Sequence, residues 1–377
     1  MTFVSPKNNL NPNLNTQYQD GREVSLPSLK RHITIIMDIY NLLITPTGKT
    51  RFRSLSAALA LSFGMLSITS CIAQEGPTAV STPPVTTTVG NPFIRDMYTA
   101  DPSAHVWKDG RLYVYPSHDI APARGCDLMD QYHVYSTDDM VHWKDHGEIL
   151  RASQVEWGRP EGGFMWAPDC AYKNGTYYFY FPHPSGTEWN STWKIGVATS
   201  KSPSSGFKSQ GYIKGLEAMI DPCVFVDDDG QAYFYYGGGG TCKGGKLKDN
   251  MVEIDGQMQK MEGLEDFHEA SWVHKKDGVY YLSYSDNHDV DGKHNQMRYA
   301  TSKSPLGPWT HKGIYMDPTD SYTNHGSIVK FKGQWYSFYH NSALSNQDWL
   351  RSICVDKLYY NADGTIKKVV PTGYIKN

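Results

Sequence analysis

The chain has 377 residues, enough for one large domain or two ordinary ones, and its 36 Lys+Arg against 39 Asp+Glu give a formal net charge of −3. With no basic surplus to neutralise phosphates, nucleic acid is excluded as an expected partner. The 26 Tyr, 10 Trp and 13 Phe, with 34 Gly and 21 Pro, favour short strands and tight turns over long helices.

Residues 1–71 read as an N-terminal extension ending in an export signal. Up to residue 48 the chain is rich in Asn and Pro, with one short apolar run, "ITIIMDIYNLLI", that Asp38 interrupts. In "KTRFRSLSAALALSFGMLSITSC", Lys49, Arg51 and Arg53 precede an apolar stretch too short for an ordinary membrane span, the pattern of a secretory signal. Its end, Ile68-Thr69-Ser70-Cys71, resembles the bacterial lipobox, which implies acylation of Cys71 and an exported, membrane-anchored lipoprotein. The alternative is cleavage beside Ala73, which gives a soluble secreted protein. Residues 72–90 include "EGPTAVSTPPVTTTVG", a Pro/Thr/Ser linker unable to bury a core. Folding is expected over 91–377. Cys126, Cys170, Cys223, Cys242 and Cys354 form no Cys-x-x-Cys pair and suggest neither a disulfide framework nor a zinc site.

From residue 91 onward one pattern recurs five times: "ADPSAHVWKDGRLYVYPS", "APDCAYKNGTYYFYFPHP", "IDPCVFVDDDGQAYFYYGG", "HEASWVHKKDGVYYLSYSD" and "NHGSIVKFKGQWYSFYHN". Each is a polar opener, a small residue, an alternating run, a Gly-containing turn and a second, aromatic alternation. The period of two turns every other side chain into a core. Further strands follow in "YHVYSTDDMVHW", "WKIGVATSKSPSSGF" and "QMRYATSKSPLGPW", so the unit is four strands. The openers Asp101, Asp169, Asp221, Glu269 and His325 are spaced by 68, 52, 48 and 56 residues. Units of that length, each too small to bury its own face, predict an all-β fold: a five-bladed β-propeller with four-stranded antiparallel blades. A double-sheet sandwich is the alternative, and it leaves the recurrence unexplained.

In a propeller the innermost strand of each blade lines the channel, so the five openers converge on one mouth. Four acids and a histidine would repel and desolvate one another, a cost that argues for function. Two carboxylates across a pocket with aromatic walls are the equipment of glycoside hydrolysis: one protonated to donate to the leaving oxygen, one ionised to activate water or attack the sugar. Glu269, with the longer side chain and with Ala270 and Trp272 beside it, is the candidate acid; Asp101 is the candidate base. Asp221, between them in blade order, would hold Glu269 protonated by like-charge repulsion. Asp169 receives no role and reads equally as a turn acid or a ligand.

"ADPSAHVW", "IDPCVFVDDDG" and "HEASWV", in that order, resemble the three catalytic signatures of glycoside hydrolase family 43, over essentially the whole of 91–377. The resemblance implies a five-bladed propeller that hydrolyses glycosidic bonds with inversion, with Asp101 as base, Glu269 as acid and Asp221 as the residue that tunes the acid. It further implies that Trp166 in "MWAPD" stacks on the sugar and that Arg351 in "RSICVDKLYY" pairs with the modulating Asp. His325 in "NHGSIV" is similar to a channel histidine that in many members holds a cation, often calcium, partly through water; the alternative is hydrogen bonding to neighbouring carboxylates without metal. No cofactor is expected for the chemistry. The implied substrates are plant oligosaccharides or polysaccharides, with exo action on xylose or arabinose preferred over endo-arabinanase or galactan-directed action.

Two rivals remain at this level. An invertase-like retaining propeller would carry its first acid in a W-M-N-D-P-N-G context, which "YTADPSAHVW" lacks. A propeller lectin would repeat its binding residues blade by blade, whereas these openers differ. "DDDG" from Asp227 lacks the later Glu of a calcium loop, and "YGGGG" from Tyr236 lacks the Lys-Ser/Thr of a phosphate loop. The polar loop "SDNHDVDGKHNQ", Ser285 to Gln296, either reaches the substrate or is simply solvated. "NADGTIKKVVPTGYIKN" reads as a closing strand.

Overall fold

A computed structural model of the chain describes residues 85–373, apart from 124, 189, 190 and 288–294. The signal segment, Cys71, most of the linker and the centre of the loop after Ser285 therefore lie outside the described residues.

The alternating runs form five antiparallel sheets in chain order, and no α-helix occurs among the described residues. The first sheet holds β1 (Val85–Thr87), β2 (Thr99–Val106), β3 (Leu112–His118), β4 (Gln131–Thr137) and β5 (His142–Arg151), in the order β1-β5-β4-β3-β2. The second holds β6 (Asp169–Lys173), β7 (Thr176–Pro184), β8 (Trp193–Ser200) and β9 (Lys208–Tyr212). The third is β10 (Ile220–Val226), β11 (Ala232–Gly238), β12 (Thr241–Leu247) and β13 (Ile254–Lys260). The fourth is β14 (Glu269–Lys276), β15 (Val279–Ser285), β16 (Met297–Ser302) and β17 (Thr310–Met316). The last comprises β18 (Ser327–Phe331), β19 (Gln334–Asn341) and β20 (Ser352–Leu358). Strands β2, β6, β10, β14 and β18 touch in succession, and β18 returns to β2. The result is a five-bladed propeller in which those five strands line the axis.

Three blades have the expected four strands; the first adds β1 at its rim, and the last has three. The free edge of β20 is covered instead by the segment 91–99, which runs antiparallel to it. Phe93 N–H donates to Ile353 O at 3.2 Å, and Thr99 N–H to Arg351 O at 2.8 Å. The Asn91 amide imitates a peptide: its Nδ2 donates to Val355 O at 3.0 Å and its Oδ1 accepts from Val355 N–H at 2.9 Å. An edge that would otherwise template aggregation is thus closed by the residues that lead into the first blade. Behind it, Phe93 stacks on Trp143 with centroids 4.2 Å apart and meets Phe338 edge-on, inside an apolar layer between the last and first blades.

This arrangement also corrects the expectation of a closing strand at the C-terminus. With the β20 edge occupied, the chain turns through Asn361–Thr365 and lies against the fourth blade, where Val369 bridges Met316 in parallel.

Candidate active site

The three predicted catalytic acids share a local device. In β2, β10 and β14 the pairing with the next strand slips at one point: between Ala100 and Ser103, Ile220 and Cys223, and Glu269 and Trp272. Each slip carries a left-handed residue, Asp101 (φ 51°), Asp221 (φ 55°) or Ala270 (φ 64°). Such bulges bend a strand and re-aim a side chain, at a local cost of about 1–3 kcal/mol that the surroundings must offset. By contrast, β6 and β18 keep regular pairing. The irregularity marks the acids that face the mouth.

Asp101 is buried, 5% exposed, and fully engaged. Ser117 Oγ donates to its Oδ2 at 2.6 Å and Arg351 Nη1 to its Oδ1 at 3.1 Å, while its own N–H donates to His340 Nδ1 at 3.1 Å. Burial alone would raise its pKa, but Arg351, His340, His325 and the Ser117 hydroxyl outweigh that and lower it to about 2.

Arg351 does not pair with Asp221, contrary to expectation. It immediately precedes β20 in the last blade, whose neighbour is the first blade, and its guanidinium meets Asp101 and Asp119 instead. Asp119 accepts from Arg351 Nε and Nη2 at 2.9 Å each and from the Arg351 N–H at 2.8 Å. Burial, only partly offset by Arg351, lifts the Asp119 carboxyl above its ordinary value.

Asp221 and Glu269 form the opposite electrostatic environment. Asp221 is 4% exposed, whereas the Glu269 side chain keeps 22% and opens to solvent. Burial raises both carboxyls; repulsion from Glu269 and Asp101 adds to the rise at Asp221, while at Glu269 Asp101 adds to it and His268 and Arg351 oppose it. Groups so coupled titrate as a pair, with at least one proton retained well above the usual carboxylate range. The Ala270 N–H donates to Asp221 Oδ2 at 2.8 Å, a bond that favours charge on Asp221. The Trp272 indole Nε1 donates to Ile328 O at 3.0 Å.

His325 stands between the acids, its Nδ1 3.7 Å from Asp221 Oδ2 and 3.9 Å from Asp101 Oδ1. Burial lowers its pKa against the pull of Asp101 and so favours the neutral ring. Gly326 makes this placement feasible, because a Cβ there would lie 2.1 Å from Phe338 O. Among the described residues no three His, Cys, Asp or Glu side chains could hold a metal together. His325 would offer an oxygen-seeking calcium ion one nitrogen ligand, so a cation there would be held largely through water.

Trp166 is half-buried and stacks on Trp193 at 5.0 Å and 15°. The next residue, Ala167 (φ 37°), donates its N–H to Ser117 Oγ at 2.6 Å, which ties the Trp166 segment to the hydroxyl that binds Asp101. Asp169 does not join the mouth. It accepts from Ser103 Oγ at 2.6 Å, Cys170 N–H at 2.7 Å and Val224 N–H at 2.6 Å, with His105 Nε2 at 2.7 Å, and so ties together three inner strands. Its role is structural. Ser117, Asp119 and His340 are not singled out at the level of sequence; Ser117 and His340 sit near the far ends of second strands and Asp119 just past one, and only the polar ends of "YPSHD" and "FYHN" hint at them.

Residues 89–366 match the family described as Glycosyl hydrolases family 43. A xylosidase/arabinosidase of Bacteroides ovatus is 36% identical over 317 residues, 71% of this chain and 94% of the relative. A β-xylosidase of Xylanibacter ruminicola is 34% identical over 323 residues, 72% of this chain and 97% of the relative. Among solved structures, a β-xylosidase/α-arabinofuranosidase from a compost microbial metagenome, in complex with xylotriose and in calcium-free form, superposes with a TM-score of 0.69. It is 35% identical, over 78% of this chain and 100% of that one. A Xanthomonas citri enzyme complexed with xylotriose gives 0.68 at 34% identity, over 75% and 93%.

Proposed function

This chain belongs to glycosyl hydrolases family 43 and is a glycosidase, and from that premise we propose that it removes terminal xylose or arabinose units from plant-derived oligosaccharides, with inversion. One observation carries the reading: Asp101 and Asp221 lie 3.9 and 3.7 Å from the same His325 nitrogen, with the Arg351 guanidinium bound to Asp101 and burial raising the Asp221 and Glu269 carboxyls.

In this reading Asp101 is the general base that deprotonates the attacking water. Glu269, the acid with solvent-facing surface, donates to the leaving oxygen. Burial and the neighbouring carboxylates favour a proton on Asp221, and the Ala270 N–H opposes them, biasing the pair's proton toward Glu269 in this reading. An inverting pair needs about 6.5–9.5 Å between carboxyls to admit the water. His325 and Trp166 would contact the sugar, and Arg351 would border the same subsite while holding Asp101. Hydrolysis by such a pair needs no cofactor, and no step is routed through calcium.

Sugar preference is supported by the names of the relatives and by the xylotriose complexes of similar structures. The experiment is a panel of nitrophenyl pentosides, arabino-oligosaccharides and galacto-oligosaccharides, with the first-formed anomer read by NMR. Release of single pentoses with inverted configuration is expected. Internal cleavage of arabinan or galactan would replace the exo reading, a retained anomer would remove the inverting mechanism, and binding without hydrolysis would leave a lectin.

We also propose that Cys71 is acylated and that the Pro/Thr/Ser linker tethers the propeller to a membrane after export. Full-length protein should partition into detergent on phase separation and the Cys71→Ser variant into water; equal partitioning of both would end this proposal.

A further inference from the structure

We propose that His340 is a positioning residue for Asp101: its Nδ1, fixed as an acceptor, pins the amide of the bulged residue and so aims the carboxylate. The proposal rests on the reading of Asp101 as general base.

Where β2 slips against β3 between Ala100 and Ser103, the Asp101 N–H has no ladder partner, and a buried donor left unpaired costs about 1–3 kcal/mol. His340, fully buried on β19 of the last blade, accepts that N–H at 3.1 Å. On its other side Nε2 lies 2.8 Å from the Thr323 carbonyl oxygen. A carbonyl only accepts, so the hydrogen is on Nε2 and Nδ1 is bare. Both ring nitrogens are committed, and the ring has one orientation.

The ring is also neutral. Burial first, then the charge of Arg351, push its pKa down to about 3, against the opposing pull of Asp101. The groups that face it are Asp101, Arg351, His325 and Thr323. It therefore serves as a fixed acceptor across the working pH range and carries no proton in the reaction. The acid side differs: there the bulged Ala270 N–H is caught by Asp221, itself one of the mouth carboxylates. The Asp101 amide is thus held by a neutral ring from another blade, and misplacement of a reacting group by about 1 Å can cost on the order of 100-fold in rate.

Asn and Leu have nearly the same shape, but only Asn can present an oxygen near the Nδ1 position. His340→Leu and His340→Asn are assayed on a nitrophenyl pentoside, with turnover normalised to the folded fraction from circular dichroism. The Leu variant should lose about 100-fold in kcat with KM within about threefold, and the Asn variant should stay within about tenfold of wild type. Wild-type kcat in the Leu variant overturns the proposal, as does equal impairment of two folded variants. If Leu does not fold, Asn decides alone: within about tenfold supports the role, and a 100-fold loss overturns it. Asp101→Asn, run in parallel, separates the two readings. Full turnover there removes the base assignment, while an inactive Asp101→Asn beside an unaffected His340→Leu removes only the positioning role.

Discussion

Asp119 accepts three hydrogen bonds from Arg351, two from the guanidinium and one from the backbone N–H, and by holding that residue it sets the charge beside Asp101. A planar fork fixed at two corners has little freedom at the third, and Arg351 Nη1 accordingly meets Asp101 Oδ1 at 3.1 Å. Removing Asp119 leaves a buried cation with one carboxylate partner. Asp119→Ala should destabilise the fold by about 3–5 kcal/mol in urea titrations and lower kcat as well. A loss under about 1 kcal/mol would show that Arg351 finds other partners.

The pH dependence follows from opposite shifts at one mouth. Asp101 must be ionised to act as base, so kcat/KM should fall as pH drops toward its pKa of about 2. Glu269 must be protonated, so the rate should fall again as pH rises through the lifted pKa of the Asp221–Glu269 pair. Rates should be measured after brief pH jumps, with folding followed in parallel. An acid limb near neutrality, or a flat profile from roughly pH 4 to pH 10, would contradict the assignment.

Stability carries the same signs. Asp101, whose pKa is depressed from 3.8 to about 2, contributes on the order of 2 kcal/mol above pH 4, lost as pH falls through that window. The raised carboxyls do the reverse: their contribution is present at low pH and is lost as pH rises through the raised pKa. Guanidinium unfolding with Asp101→Asn and Glu269→Gln should show the two pH dependences separately, Asp101→Asn removing the acid-side loss and Glu269→Gln weakening the alkaline one.

The recurrence of alternating runs made the propeller legible, because a period of two and regularly placed turns are properties of the chain itself. Asp101, Asp221 and Glu269 were legible for the same reason, as openers of repeated units. What remained hidden depends on contacts between blades. The Arg351–Asp119 pair joins residues 232 positions apart, and nothing local distinguishes Asp119 from an ordinary strand-end acid. Asp169 shows the converse: its opener position matches the three candidate acids, yet β6 pairs regularly and Asp169 binds neighbouring strands.

The ring closure by the segment 91–99 was equally hidden, since Asn91 looks like a linker residue. Its side chain replaces a missing strand by pairing with both backbone groups of Val355. Asn91→Ala loses both bonds to Val355 and the 2.7 Å bond from the amide to Thr372 Oγ1, and should cost about 2–3 kcal/mol with kcat per folded molecule unchanged. Thermal melts and turnover on the same sample check this; an unaffected melting temperature would mean the edge closes without Asn91.

The assignment of acid and base is tested most directly by varying the leaving group in Glu269→Gln. Donation of a proton matters for a poor leaving group and not for dinitrophenolate. The account predicts near wild-type kcat on dinitrophenyl glycosides and a loss of about 10²–10⁴-fold on unactivated xylo- or arabino-oligosaccharides. Equal losses on both would contradict it.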